Sequence, residues 1–475
     1  MTKSRKEKQK ISIHDIWLIS RFILRACIGI VQLVIKVGPR KAIKTTRRYP
    51  WLKEMLLNMK IAFNFLKGRS GNYLEAVLVV FEEMQKGTME LLEGIINHED
   101  KLVIHQVALQ PEILMGMGLK TWMAGFVPWI GTVVSPGVTE EYIDASENEG
   151  IPSDLCSASR SIIGFALENQ FPNAVAIVAS AMPCDGVSNM YSVIERKTKI
   201  PTFMADAPYD FYSDRGVDYF VKELKRMISF LEANTPGRMD WDRLREICEL
   251  RNRTVELELD LWDMIRQKPS PMAAEPIYLS HIWFQAVRPG CEESYRMFKR
   301  IAELCEDNFR LGKSALPDER YRVVLWNAPM IDFSDIFAWA EKRYGVSLIM
   351  DMLTYNHHPF VDTRTPETML RGLAKTGLQS LMGRHTRGPC ENYIDDLFYI
   401  YEHFNLDMIW VASSFGCRNT KGLLGIVREK CREKGIPLLS IDHEIFDART
   451  VPRANVMNQV DDFMINIMEA ERLDR

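Results

Sequence analysis

No two of the nine cysteines in this 475-residue chain stand at C-x2-C spacing. Their irregular scatter excludes the dense disulfide framework of a small secreted fold and the commonest structural zinc motifs. Reduced thiols in a cytoplasmic compartment are the expectation. A phosphate loop of the form G-x4-G-K-[ST] is also missing, because Gly312-Lys313-Ser314 has Asp307 where the first glycine belongs. Gly116-x-Gly118 lacks the rest of a dinucleotide fingerprint and reads as a turn. No Ser, His and Asp fall in an order that suggests a catalytic triad. Nor is there a clean membrane span: the apolar run 16–35 contains Arg21 and Arg25. Each would cost about 2.5–3.5 kcal/mol at a bilayer centre. That pair, with no small-residue cleavage site behind an unbroken apolar core, also argues against a signal peptide.

What is there is large and segregated. With 47% hydrophobic residues the chain can bury two or three cores. Residues 1–70 hold 17 Lys or Arg against Glu7, Asp15 and Glu54, a net of +14, which leaves −17 for the rest of a chain whose total is −3. A basic attachment region for an anionic membrane surface or an acidic partner is expected; nucleic acid is not. His14, Arg21, Arg25, Gln32 and Lys36 are spaced to form one basic stripe on an otherwise apolar helix. The segment 49–67 repeats the theme, with Trp51, Met55, Met59 and Phe63 opposite Lys53, Lys60 and Lys67. Such helices resemble an interfacial anchor, although the commoner arrangement packs the apolar face on the body and leaves the lysines in water.

From about residue 100 the pattern turns α/β. Short β-branched runs at 174–180, 201–205, 321–326, 346–351, 408–413 and 437–441 alternate with helix-length stretches, the mark of parallel sheets with crossover helices. Residues 216–315 read instead as nearly continuous helix. The expected fold is two Rossmann- or flavodoxin-like α/β domains (101–215 and 316–475) joined by this helical segment, behind a basic helical extension (1–100).

One unit is duplicated. Val178-Ala179-Ser180 is followed by Cys184, a helix, and Ile200-Pro201 with a strand ending at Asp206; Val411-Ala412-Ser413 is followed by Cys417, a helix, and Ile436-Pro437 with a strand ending at Asp442. Both cysteines fall beyond the carboxyl end of a strand, where open parallel sheets bind ligands. Each also precedes a helix, whose N-terminal N–H groups favour a thiolate. Cys156, behind the helix entry Pro152-Ser153-Asp154, has the same setting. Three thiolates on one crevice suit zinc or an iron–sulfur cluster, while three buried apolar cysteines remain the alternative.

The segments EGIPSDLCSASR (149–160), PCDGV (183–187), FMADAP (203–208), GCR (416–418) and IDHEIFDAR (441–449) resemble the 2-hydroxyacyl-CoA dehydratase family, which includes benzoyl-CoA reductase cluster subunits and double-cubane cluster proteins. The likeness spans about residues 100–475. It implies a [4Fe–4S] cluster, or a double-cubane cluster, on Cys156, Cys184 and Cys417. It further implies a separate ATP-hydrolysing activator, a CoA thioester substrate reduced by single electrons, and a dimer with a homologous subunit or with itself. A missing phosphate loop agrees with ATP being handled elsewhere. The implied activity is radical dehydration of a 2-hydroxyacyl-CoA; the alternatives are a reductase of the benzoyl-CoA type and a cluster-carrying subunit without substrate chemistry. Two features depart from the family pattern: the basic extension, and the apolar stretch from Trp122 to Val134 after Ala108-Leu109-Gln110-Pro111. A crevice sealed by that stretch would favour the carrier.

Among other candidates, Arg160 would sit one turn beyond Cys156 and could reach a cluster sulfide or a thioester phosphate, or form a salt bridge. Cys390 is the one further thiol placed to approach a cluster. Asp206 and Asp442, ending the repeated strands, read as caps for the following segments, the commoner role, or as groups that tune the site, and His357-His358 as structural. Cys248, Cys305 and Cys431 fall inside expected helices, Cys27 in the basic helix, and Cys291 at a helix start.

Overall fold

The computed structural model describes residues 12–473 apart from 56–65, 67, 211, 328, 329, 331, 332, 334, 356 and 358. Most of the second basic segment, 49–67, therefore lies outside the described residues, as does His358.

Eight strands form two four-stranded sheets, every neighbouring pair parallel. The first contains β1 (Leu102–His105), β2 (Lys120–Met123), β3 (Ala176–Ser180) and β4 (Thr202–Ala205), in the order β2-β1-β3-β4. The second contains β5 (Tyr321–Trp326), β6 (Val346–Asp351), β7 (Met408–Ser414) and β8 (Leu438–His443), in the order β6-β5-β7-β8. The duplication thus extends over whole sheets, not one βαβ unit. Strands β1 and β2 carried little sequence signal: each has four residues, and Lys120-Thr121-Trp122-Met123 shows no apolar run. The six anticipated strands are all present.

The extension begins with α1 (Ile13–Val37) and α2 (Pro39–Arg48) and continues in α3 (Gly71–Asn97). By length and composition alone α1 could cross a membrane. The first half adds α4 (Pro111–Gly116), α5 (Glu140–Asn148), α6 (Ser157–Leu167) and α7 (Asp185–Thr198). Gly118 occupies a turn at φ 71°, in keeping with the reading of Gly116-x-Gly118. Helices α8 (Asp214–Asn234), α9 (Trp241–Ile265), α10 (Ala274–Ala286) and α11 (Glu292–Arg310) form the connecting region. The second half adds α12 (Ile336–Tyr344), α13 (Pro366–Gln379), α14 (Cys390–His403), α15 (Arg418–Lys434) and α16 (Arg453–Asn466).

Sequence halves and packing layers do not coincide. Val103 and Val178 of the first sheet bury against Phe220 and Leu224 of α8, and Met369 and Leu373 of α13, from the second half, complete that core. The second sheet packs Val323, Trp410 and Ile441 against Phe337 of α12 and Phe463 of α16. The alternate residues Ile104, Ile177, Val324, Ile409 and Val411 enter a third core, so each sheet is covered on both faces, as parallel sheets require.

Candidate functional site

In each sheet the strand order reverses at one gap, β1/β3 and β5/β7, where crossovers leave in opposite directions and open a crevice. Cys184 follows β3 and Cys417 follows β7. Cys156, Cys184 and Cys417 are the N-cap residues of α6, α7 and α15. All three line one cavity of about 570 Å³ between the halves.

Two glycines fix this convergence. A Cβ on Gly164 of α6 would lie 1.8 Å from the Tyr142 carbonyl oxygen, so only glycine lets α6 settle against α5. A Cβ on Gly416 would lie 2.7 Å from the Cys156 Cα, so the loop carrying Cys417 reaches the loop carrying Cys156 only without a side chain there.

Glu444, buried just after β8, joins the same two loops. Its carboxylate accepts from the Ser157 hydroxyl (2.6 Å), the Gly416 N–H (2.8 Å) and the Ser414 hydroxyl (3.2 Å). Thr139 of the first half adds a hydrogen bond to the Phe446 carbonyl at 2.7 Å. From the second half, Arg387 donates to the Ala181 carbonyl (3.0 Å) and to the Ala207 carbonyl (3.0 Å). Arg418 pairs with Asp154 across the rim.

Beneath the thiols sit two amides at equivalent strand ends. The Gln106 side chain after β1 accepts from the Ser180 N–H at 2.6 Å and donates to the Met182 carbonyl. Asn327 after β5 donates to the Ala412 carbonyl at 2.6 Å, while its Oδ1 is buried without a partner. The Asn327 backbone lies at φ 88°, a setting that concentrates at functional sites. Thr420 Oγ1, also on the cavity wall, is likewise buried and unpartnered. With no partner in the protein, both atoms on the cavity wall are available to a ligand or a water.

Burial pushes the Cys156 thiol far above its ordinary range, reinforced by Cys417 and Glu444, with the Ala158 N–H acting the other way. Cys184 is also raised by burial, although the Val187 and Gly186 N–H groups oppose it. Helix N-termini thus act in the expected direction, but desolvation wins. Among the described residues, no three His, Cys, Asp or Glu side chains are gathered tightly enough to hold a metal ion.

The Trp122–Val134 stretch supplies one wall, through Gly125 and Trp129, with Trp129 edge-on to Phe446 at 5.3 Å. It does not close the mouth, where Asp154, Asp185, Asn189, Arg418 and Asn419 are exposed.

Other sequence candidates lie off this cavity. Buried Arg160 donates to the Leu155 carbonyl at 2.7 Å and pairs with Glu147, bracing the loop ahead of Cys156. Cys390 opens α14 but is exposed and does not line the cavity. Asp206 accepts from the Tyr219 hydroxyl (2.9 Å), and Asp442 lies 2.7 Å from Lys421 Nζ; both side chains are tied up in such pairs instead of capping a helix. His357 lies 3.4 Å from Asp396, which is also paired with Arg384 and His385. Cys248, Cys305 and Cys431 are buried within helices.

Residues 107–466 match the family profile described as 2-hydroxyglutaryl-CoA dehydratase, D-component. The chain belongs to this family. Relatives include the (R)-phenyllactyl-CoA dehydratase alpha subunit of Clostridium sporogenes, 21% identical over 71% of this chain and 84% of that one. The lactoyl-CoA dehydratase alpha subunit of Anaerotignum propionicum is 20% identical over 70% and 82%. The (R)-2-hydroxyglutaryl-CoA dehydratase alpha subunit of Acidaminococcus fermentans is 26% identical over 31% of each. In this D-component family member the profile takes in all three cavity cysteines, Glu444 and Asn327, and begins after α3, one residue beyond Gln106. Gln106, Asn327 and Glu444 escaped sequence reasoning. Only Glu444 had a signal, its place inside the IDHEIFDAR segment.

Proposed function

We propose that this chain is the cluster-bearing subunit of a 2-hydroxyacyl-CoA dehydratase. The observation that carries the reading is that three cysteines, drawn from both halves, line one open cavity at the switch points of two duplicated sheets. The donor set fits an iron–sulfur cluster: thiolates are its ligands, and thiols spread around a cavity suit several irons better than one ion. Cys156, Cys184 and Cys417 would hold it. Such a cluster supplies single low-potential electrons, here from an ATP-driven activator to a CoA thioester.

The chain's own residues would do the rest. The Ala158 N–H of α6 and the Gly186 and Val187 N–H groups of α7 are directed at Cys156 and Cys184 and would stabilise thiolate charge there. Glu444 fixes the Cys156 and Cys417 loops in one spacing. Asn327 Oδ1 and Thr420 Oγ1 are free to bind the hydroxyl or amide groups of an acyl-CoA. Trp129, Ile162 and Met190 keep the inner wall apolar, while the exposed rim leaves a path for a pantetheine arm. A cavity of this volume is in the usual range for small-molecule sites. The open mouth favours an enzyme over a sealed electron carrier. The relatives being alpha subunits supports a second subunit as partner.

The test is iron and acid-labile sulfide in anaerobically purified protein, with Cys184→Ala and Cys417→Ala alongside. Dehydration of a panel of 2-hydroxyacyl-CoA esters is then assayed with partner subunit and activator. Iron absent from the wild type, or retained by both variants, would refute the cluster; a loaded protein inactive on every ester would refute the dehydratase.

A further inference from the structure

Helix α1, unlike an ordinary surface helix, turns a second apolar face to the outside. It runs parallel to α3, with Gly71 donating to Asp15, Arg25 pairing with Glu82, Gln85 donating to the Ala26 carbonyl and Lys41 to Asn97, always 56–59 residues apart. Arg21 also reaches Glu82, and Lys36 reaches Glu93. The expected arrangement holds only in part: Arg25 and Lys36 stay largely in water while pairing with α3, but most of the apolar surface of α1 does not pack on the body. A narrow line of Leu18, Phe22 and Ala26 is buried. The opposite face exposes Ile13, Trp17, Leu24, Ile28, Val31 and Ile35, with Ile13 88% and Ile35 74% exposed. These residues recur at helical spacing, so they form one continuous stripe, the kind of patch that marks a docking surface.

Charge selects the occupant. Helix α2, immediately after the stripe, carries exposed Arg40, Lys41, Lys44, Arg47 and Arg48 and no acid. Ahead of the stripe, the sequence holds Lys3, Arg5, Lys6, Lys8 and Lys10. An apolar stripe bracketed by cations fits an anionic bilayer, which takes both features at once. A second copy would bring two strongly basic segments together. Spanning would pull Arg21 and Arg25 away from Glu82 into hydrocarbon.

We propose that α1 seats the protein on an anionic lipid surface, lying in the plane of the interface with its outer stripe in the acyl boundary. The surface lies ahead of the family match and is independent of the cysteine cavity.

The test is flotation of the full-length protein with vesicles of phosphatidylcholine and phosphatidylglycerol in equal parts, and with phosphatidylcholine alone. Flotation is expected with the anionic vesicles and is expected to fall roughly tenfold or more in Trp17→Ser/Leu24→Ser/Ile28→Ser. Arg40→Gln/Lys44→Gln/Arg47→Gln should weaken it in a salt-dependent way. Because these side chains are exposed, the melting temperature should match the wild type; Val31→Ser/Ile35→Ser is the substitute if the triple variant melts lower. No flotation of the wild type, or undiminished flotation of well-folded stripe variants, overturns the proposal. So does retention in the membrane after alkaline carbonate extraction, which would indicate a span. A dimer broken by the stripe variants, without vesicle binding, would assign the face to a second copy.

Discussion

The two halves share strand order, cysteine position and a strand-end amide, yet they are tied to each other by different means. The second half supplies Glu444, which accepts hydrogen bonds around both Cys156 and Cys417; the aligned position after β4 is Pro208, which has no such capacity. The first half supplies bare carbonyls, at Ala181 and Ala207, for Arg387. Helices α6 and α14 occupy matching places before β3 and β7, and each opens with a cysteine, but Cys156 faces the cavity and Cys390 faces solvent. Duplication therefore set out one equivalent pair, Cys184 and Cys417, and asymmetric contacts bring Cys156 to them while Cys390, one position further into its helix, stays outside.

The largest effect should separate the cysteines. Cys156→Ser, Cys184→Ser or Cys417→Ser should each lower iron content and dehydration at least on the order of 100-fold, more than outer-shell changes usually do. Cys390→Ser should leave both unchanged; equal losses would restore the symmetry. Gly416→Ala comes next, since its Cβ would meet the Cys156 backbone, and a denaturant midpoint should report about 1–3 kcal/mol of destabilisation. Glu444→Gln puts an amide N–H₂ where donors converge and should cost about 1–3 kcal/mol, while Pro208→Ala should cost much less. Arg387→Ala should cost about 1–2 kcal/mol by the same measurement. The smallest contrast is between the amides: Gln106→Ala strands the buried Ser180 donors, so it should destabilise more than Asn327→Ala. The latter should instead raise KM for the acyl-CoA.

Much of this was legible in the sequence. The V-A-S-x-x-x-C repeat located Cys184 and Cys417 because the same local pattern, strand then helix entry, fixes the same loop. Cys156 was legible from its helix entry. The contacts of Glu444 and Arg387 were not, because they depend on how two halves dock, and no local spacing encodes that. β2 was missed because a four-residue strand with Lys120 and Thr121 has no alternation to read. For Arg160 helical spacing allowed either a cavity contact or a salt bridge; the salt bridge is the one formed, to Glu147, thirteen positions earlier. On α1 the basic stripe was correctly grouped and largely faces water, but its ion pairs to Glu82 and Glu93 were not legible, because those acids belong to α3.

The contact between Gly416 and Cys156 has a consequence for biogenesis. Ser157 and the carboxylate that anchors it, Glu444, are 287 residues apart, so the nascent chain can present Cys156 and Cys184 long before Cys417 arrives. A cofactor needing all three thiols cannot be seated until the second half has been synthesised and docked. Cofactor loading would then act as a checkpoint on assembly, leaving incompletely folded chains empty.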